Sequence, residues 1–271
     1  MFSATFHHVP VCGSTNDEAK TLAKAFAPHG TVVTADEQTA GRGRHGRTFF
    51  SPAGHGLYLS VILRPALPVC RLPLLTLVAG LSVLRTMCTV LLEHGGARFP
   101  PVLKWPNDVV VATPQGLRKL AGILTEASFS NGVCEFVIVG IGANLTEQSF
   151  PPGVPGASLG ELCHGTAFSE TPQTFANRLV PVLLQDFARL EQNGPAWVLS
   201  DFAAASPSCA PGQQLFVHTA ERDVEGISLG LSDDGALVLR TPRGTLETIR
   251  AGEILHPGKT LPSQPMGLAD E

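Results

Sequence analysis

Seven consecutive residues, Gly41-Arg42-Gly43-Arg44-His45-Gly46-Arg47, gather three guanidinium groups and three glycines into one short segment. Glycines let backbone N–H groups approach an anion, and arginine offers forked donors that match phosphate or carboxylate. No acidic residue lies inside the segment, so the three cations repel one another and require something to neutralise them. The residues alone read as an anion-binding loop, with a solvated arginine turn or an Arg-Gly patch on nucleic acid as the alternatives. A second group, Lys104-Trp105-Pro106-Asn107-Asp108, offers a cation, an aromatic ring, an amide and a carboxylate, and Lys119 follows fifteen positions after Lys104. If Thr113–Arg118 is a hairpin turn, the two lysines fall on neighbouring strands where both ammonium groups reach one phosphate. Ser14-Thr15-Asn16 reads as a helix cap or as a set of donors for a polar ligand head. Gly140-Ile141-Gly142-Ala143-Asn144 is not a dinucleotide fingerprint, because it lacks the G-x-G-x-x-G spacing and no helix pattern opens after it.

The elements that must position these residues follow from periodicity. Thr15-Asn16-Asp17-Glu18 has the spacing of a capping box, and Ala19, Leu22, Ala23 and Phe26 recur at helical spacing, which predicts a helix over about residues 16–26. Short β-prone runs at Thr31–Ala35 and Gly56–Leu63 flank the arginine loop, and Leu74–Leu92 reads as a largely buried helix. From Leu103 onward, runs at 109–111, 119–127 and 133–145, separated by Thr113-Pro114-Gln115-Gly116 and Ser130-Asn131-Gly132, predict an antiparallel meander. Residues 172–192 read as a helix that Pro181 kinks or breaks, with a short helix over Ala196–Ala205. Ser206–Gly212 is linker-like, and the runs that follow, including Gln214–Thr219, Glu225–Leu231, Ala236–Thr241 and Thr245–Ile249, suit a small barrel. The pattern is therefore α+β with a mixed, antiparallel-rich central sheet. The predicted boundaries are a larger first unit over 1–205, a barrel over 206–260 and a disordered tail over 261–271.

The chain has 271 residues, of which 44% are hydrophobic and 15% charged, enough for a sizeable core. A net charge of -4 gives no overall basic field toward nucleic acid or anionic lipid, so any anion site is local. The apolar stretch Leu72–Leu84 reads as too short for a membrane span, and Met1–Val11 lacks the features of a signal peptide. Six scattered cysteines without a C-x-x-C pair suit reduced core thiols, and the compartment expected is the cytoplasm.

Taken together and in this order, these motifs resemble the biotin protein ligases. The match is carried by Ser14-Thr15-Asn16, Gln38 through Arg47, Phe50-Ser51-Pro52, Tyr58-Leu59-Ser60, Lys104 through Asp108, Lys119-Leu120-Ala121-Gly122-Ile123-Leu124, and Gly140 through Asn144. The resemblance implies a class II aminoacyl-tRNA synthetase-like, biotin-lipoyl ligase catalytic domain followed by an SH3-like barrel. It also implies the chemistry: biotin is adenylated with ATP and Mg²⁺, and the biotinyl group then passes to a lysine of a biotin carboxyl carrier domain. On this resemblance Ser14, Thr15, Asn16 and Gln38 hold the ureido ring of biotin, and Gly41, Arg42, Gly43 and Arg44 fold over the ligand. Lys119 contacts the biotin carboxylate and the α-phosphate. Arg42, Arg44, Arg47 and Lys104 supply cations to the phosphates, with Asn107 at the nucleotide and Asn144 on the adenine. Asp108 serves Mg²⁺ or the acceptor lysine, and Phe49 stands where the family usually has a tryptophan stacked on adenine. The arginine loop is expected to order over biotinyl-adenylate. Repressor members carry a helix-turn-helix domain ahead of the Ser-Thr-Asn motif, and here that motif begins at Ser14, so a short form without specific DNA binding is expected. The oligomeric state is left open between monomer and homodimer. The competing readings are a lipoate or octanoate ligase, a non-catalytic biotinyl-adenylate sensor, and an RNA-binding protein using the Arg-Gly loop.

Overall fold

The computed structural model describes residues 4–163 and 167–255. The expected C-terminal tail lies outside the described residues. Strands Thr5–Cys12 (β1), Thr31–Gln38 (β2), Gly56–Leu63 (β3), Pro101–Lys104 (β4), Asp108–Thr113 (β5), Gly116–Ser130 (β6) and Val133–Asn144 (β7) form one sheet in the order β1-β2-β3-β7-β6-β5-β4. Only β1 and β2 pair in parallel; every other neighbour is antiparallel, and β5-β6-β7 is the predicted meander. Neither β1 nor β4 is among the predicted strands. β1 is an edge strand exposed on both faces, so it lacks the alternation that betrays a half-buried strand, and its Pro10 is tolerated there because an edge needs no donor on that side.

β3 is buried along its whole length because the sheet is covered on both faces. On one face the helix Thr15–Lys24 (α1) lays Ala19 and Ala23 against Val33, Ile62, Phe136 and Ile138. On the other, the helices Leu74–Glu93 (α2) and Pro172–Asn193 (α4) pack Leu75, Val78, Phe175, Leu179 and Leu183 on Leu59, Val61, Val137 and Val139. Alternate residues of β3 thus serve two cores, which a period of two requires. The helix Ala196–Ala205 (α5) adds Val198 and Phe202 to the larger core.

Three local expectations are corrected. Ser14, extended at φ -156°, precedes α1, while Thr15 is already helical, so the capping box expected at Thr15 and Glu18 does not form. α2 with its preceding turn is long and apolar enough to span a bilayer, contrary to the shorter stretch read from the sequence, but 78% of that window is buried inside the fold. α4 runs through Pro181 without breaking. Pro181 sits on the exposed side, while Leu179, Leu183 and Phe187 anchor both halves to the core.

After a short helix Leu159–Leu162 (α3), the chain continues through α4 and α5 into Gln214–His218 (β8), Asp223–Leu231 (β9), Leu237–Arg240 (β10), Leu246–Ile249 (β11) and Glu253–Leu255 (β12). These form a five-stranded antiparallel sheet in the order β11-β10-β9-β8-β12. The segment read as a linker is packed: Ser206 and Cys209 are fully buried, and Ser228 Oγ donates to the Cys209 carbonyl at 3.1 Å. One apolar core is continuous across it, from α2 and α4 to Leu215, Val217, Leu237 and Ile254. Trp105 Nε1 donates to the Gly235 carbonyl at 3.0 Å and fastens the second sheet to the first. All six cysteines are free, yet only Cys12 and Cys209 are buried and Cys70 is exposed, so the core-thiol expectation holds for part of the set. Burial pushes the Cys209 thiol up to about 11.

Candidate active site

A polar pocket lies between the N-terminal end of α1 and the middle of the large sheet, lined by Ser14, Thr15, Asn16, Gln38, Arg42 and Lys119 among others. Its wall is one connected hydrogen-bond chain. Asn16 Nδ2 donates to Glu126 at 2.5 Å, and Asn16 Oδ1 lies 2.6 Å from Ser60 Oγ. The Ser60 hydroxyl is 2.8 Å from Thr15 Oγ1, whose hydroxyl and backbone N–H both reach Gln38 Oε1 at 3.1 and 2.9 Å. Gln38 Nε2 then donates to Ser51 at 3.0 Å. Buried polar groups so completely engaged fix each amide and hydroxyl in one orientation. The floor is glycine: a Cβ at Gly140 would stand 2.2 Å from Asn16 Oδ1, and one at Gly142 would stand 2.5 Å from the Phe49 ring. The Gly-x-Gly run that means little as a motif is thus a clearance for two overlying side chains.

A second, cationic cleft opens beside it, lined by Arg44, Arg47, Lys104, Asn107 and Asp108 from the large sheet and its loop and by Gly252 and Glu253 from the C-terminal sheet. Lys104 and Lys119 are not on neighbouring strands as expected. β5 lies between β4 and β6, so the shared element is Asp108, which pairs in register with Lys104 and stands 2.7 Å from Lys119 Nζ. Glu253 takes Arg47 and, at 3.9 Å, Lys104. Burial pushes the Lys104 ammonium below its ordinary value, although Glu253 and Asp108 oppose the shift. Burial acts to raise the Glu253 carboxyl, but Arg47 and Lys104 outweigh it and hold the group below the usual carboxylate range. The repulsion expected among the loop arginines is answered from outside the loop, Arg42 by Asp17 and Arg47 by Glu253. Arg44 points to Asn107 Oδ1 and the Gly252 carbonyl at 3.3 and 3.4 Å.

Lys119 and Phe49 line both clefts, as do Gly43 and Asn107. The register between β5 and β6 slips beside Val109 and Val110, so that Leu120 is an extra residue and Lys119 is re-aimed, a common use of a bulge. Its side chain crosses Gly122, where a Cβ would meet Nζ at 2.6 Å. Its backbone is pinned from the far side, with N–H to the Pro155 carbonyl at 2.7 Å and C=O to the Ala157 N–H at 2.9 Å. Asn144 is part of that brace: Nδ2 donates to the Lys119 and Ala157 carbonyls at 3.1 Å each, and the residue is buried outside both cleft linings. Asn144, expected on the adenine, therefore lies outside both cleft linings. The Phe49 ring packs against Gly142, with its centroid 5.8 Å from Lys119 Nζ.

The magnesium ion that the resemblance implies is matched by little protein. Among the described residues no three His, Cys, Asp or Glu side chains converge as a metal site. Asp108 and Glu253 are the carboxylates of the cationic cleft. One or two carboxylates completed by substrate phosphates and water is the ordinary ligation of Mg²⁺, so this donor set fits an ion that arrives with a nucleotide.

Several site residues had no signal in the sequence. Glu126 looks like an ordinary strand residue, and Ser60 enters only through the Tyr58-Leu59-Ser60 motif, with no role attached. Asp17 and Glu253 lie 25 and 206 positions from the arginines they hold. Alternation along β6 could have placed Glu126 on the Asn16 face, but nothing local points to Glu253.

With the geometry in hand, likeness to known proteins is informative. Residues 9–144 match the Biotin/lipoate A/B protein ligase family, and residues 212–256 match the Biotin protein ligase C terminal domain. The chain is 34% identical over 250 residues to the biotin--[acetyl-CoA-carboxylase] ligase of Paracoccus denitrificans, covering 90% of this chain and 98% of that one. Its fold is similar to the biotin protein ligase of Aquifex aeolicus solved with biotin and ATP, at a TM-score of 0.74 and 26% identity, covering 93% and 97% of the two chains. It is also similar to the Leishmania major ligase solved with biotinyl-5-AMP, at a TM-score of 0.61 and 25% identity, covering 92% and 100%. The mixed sheet, the glycine-floored pocket and the C-terminal strands all agree with one conclusion, that this chain belongs to the biotin protein ligases of the Biotin/lipoate A/B protein ligase family.

Proposed function

We propose that the protein adenylates biotin and transfers the biotinyl group to a lysine of a biotin carboxyl carrier domain. The observation that carries this reading is the position of Lys119, which lines a polar pocket and a cationic cleft at once. The pocket suits the ureido ring: Ser14, Thr15, Asn16 and Gln38 present amides and hydroxyls of fixed orientation, and the apolar edge of Ile141 and Leu124 suits the rest of the bicycle. The cleft suits the triphosphate, through Arg44, Arg47 and Lys104, with Phe49 as the aromatic face and Asn107 beside it. Asn144 serves by bracing Lys119.

In the first step a carboxylate oxygen of biotin attacks the α-phosphorus, the bond to the bridging oxygen of the β-phosphate breaks, and pyrophosphate leaves. Two anions meet, so Lys119 lowers the barrier by facing both, and Arg42 and Arg44 add positive charge from the loop above. Mg²⁺ held by Asp108 or Glu253 would screen phosphate charge. In the second step the acceptor amine attacks the anhydride carbonyl, AMP leaves, and Asp108 is the carboxylate placed to take the amine proton. The larger sheet reads as the class II aminoacyl-tRNA synthetase-like catalytic domain, residues 1–205, and the smaller as an SH3-like barrel, residues 206–260. We assign no specific DNA site, since the cationic side chains named here converge on the two clefts.

The test is exchange of labelled pyrophosphate into ATP with biotin, lipoate and octanoate compared side by side. Exchange with biotin alone, lost in Lys119→Ala, is the expected outcome. Exchange with lipoate or octanoate instead would move the substrate, and no exchange with any acid would favour a sensor.

A further inference from the structure

Asp17 lies on the first turn of α1 and is absent from the linings of both clefts, yet it takes both terminal nitrogens of a loop arginine. Arg42 Nη1 and Nη2 donate to Asp17 Oδ2 and Oδ1, each at 2.6 Å, a fork laid on a carboxylate. The helix N-terminus favours a negative charge at this position. The loop is closed on itself, with Gly43 N–H on the Arg47 carbonyl at 2.7 Å and Phe49 N–H on the Gly41 carbonyl at 2.9 Å. Beyond Asp17 the charges alternate into the pocket wall: Lys20 Nζ is 4.0 Å from Asp17 and 2.6 Å from Glu126 Oε1, and the other Glu126 oxygen holds Asn16.

We infer that Asp17 is a positioning residue that latches Arg42, and with it the Gly41–Gly46 loop, over the polar pocket, so that it sets how long a reactive adenylate stays enclosed. The inference rests on the proposed reading of that pocket as the biotin site. Asp17 contacts no ligand; it acts through Arg42, and the Lys20–Glu126–Asn16 chain ties the latch to the side chains beneath. The pair is half-exposed, so an isolated bond of this kind would matter little. Here it restrains a whole loop whose remaining outside ties are Arg47 to Glu253 and the long contacts of Arg44.

The full-length chain carrying Asp17→Asn, which keeps the shape and removes the charge, provides the test. Without ligand, amide hydrogen exchange over residues 41–48 is expected to speed up about fivefold while β2 is unaffected, the size an exposed ion pair supports. With biotin and ATP, preformed biotinyl-adenylate is expected to leave about fivefold faster, with pyrophosphate exchange at saturating substrates held within about twofold of wild type. In an Arg42→Ala background Asp17→Asn should add nothing, and Asp17→Glu should recover part of the retention. Equal loop exchange, or equal adenylate release, in Asp17→Asn and wild type would overturn the latch. If the wild-type chain shows no biotin-dependent exchange at all, the functional reading fails, and the ligand-free exchange measurement still decides whether the latch exists.

Discussion

The polar pocket and the cationic cleft share Lys119 but are built on different principles. The pocket is held by short hydrogen bonds among side chains of adjacent elements, from Glu126 through Asn16, Ser60 and Thr15 to Gln38 and Ser51, over a glycine floor. The cleft is held by ion pairs between segments distant in the chain, with a carboxylate from the C-terminal sheet set among cations of the large one. The first arrangement is specific in shape and intolerant of added atoms. The second is specific in charge and tolerant of small displacements, as Coulomb interactions fall off slowly with distance. A neutral ring system and a polyanion place just such different demands on a protein.

Lys119→Ala should break both halves together, lowering the rate of pyrophosphate exchange by a factor on the order of a hundred to a thousand, as loss of a charge-stabilising donor does. Next comes Gly140→Ala, which drives a methyl group into Asn16 while Ser60 and Glu126 prevent its retreat. The Michaelis constant for biotin is expected to rise by about tenfold or more, with a stability loss of about 1–3 kcal/mol in a thermal melt and little change for ATP. If the ATP constant rises equally, the pocket and the cleft are not separable. Glu253→Gln inverts that pattern: the ATP constant should rise about threefold to tenfold and the biotin constant stay within about twofold. The smallest effect concerns pH. Burial lowers the affinity of Lys104 for its proton, so this ammonium loses its charge before an ordinary lysine does. ATP affinity should therefore begin to fall at a pH below the usual lysine value of about 10.4, by about threefold, while biotin affinity holds. Lys104→Arg should remove the early fall, and a fall that persists in that variant would assign it to another group.

The parts legible in the sequence were those whose information is local. Apolar runs at Gly56–Leu63 and Ala196–Ala205 coincide with β3 and α5, and Gly/Asn turns at 116 and 131–132 delimit β6 and β7. The arginine loop and the Lys-Trp-Pro-Asn-Asp run likewise face the clefts. What failed was non-local. The separation of Lys104 from Lys119 depends on β5 returning between them, and the inward turn of Asn144 depends on a loop arriving at residues 155–157. The capping box at Thr15 lost to Gln38 and Ser60, partners that only the folded sheet supplies.

α2 has a consequence for how the chain is made. Its cover comes from β6, α4 and α5, and the last of these ends at Ala205. At ribosomal speeds of about 5–20 residues per second, a finished helix waits on the order of ten seconds before its last covering helix is synthesised. For that interval the nascent chain displays a segment apolar enough to suit a bilayer, and the factors that bind emerging hydrophobic segments should engage it there. Crosslinking to such factors should peak for chains arrested once Glu93 has cleared the exit tunnel and vanish once residues 196–205 have cleared it in turn.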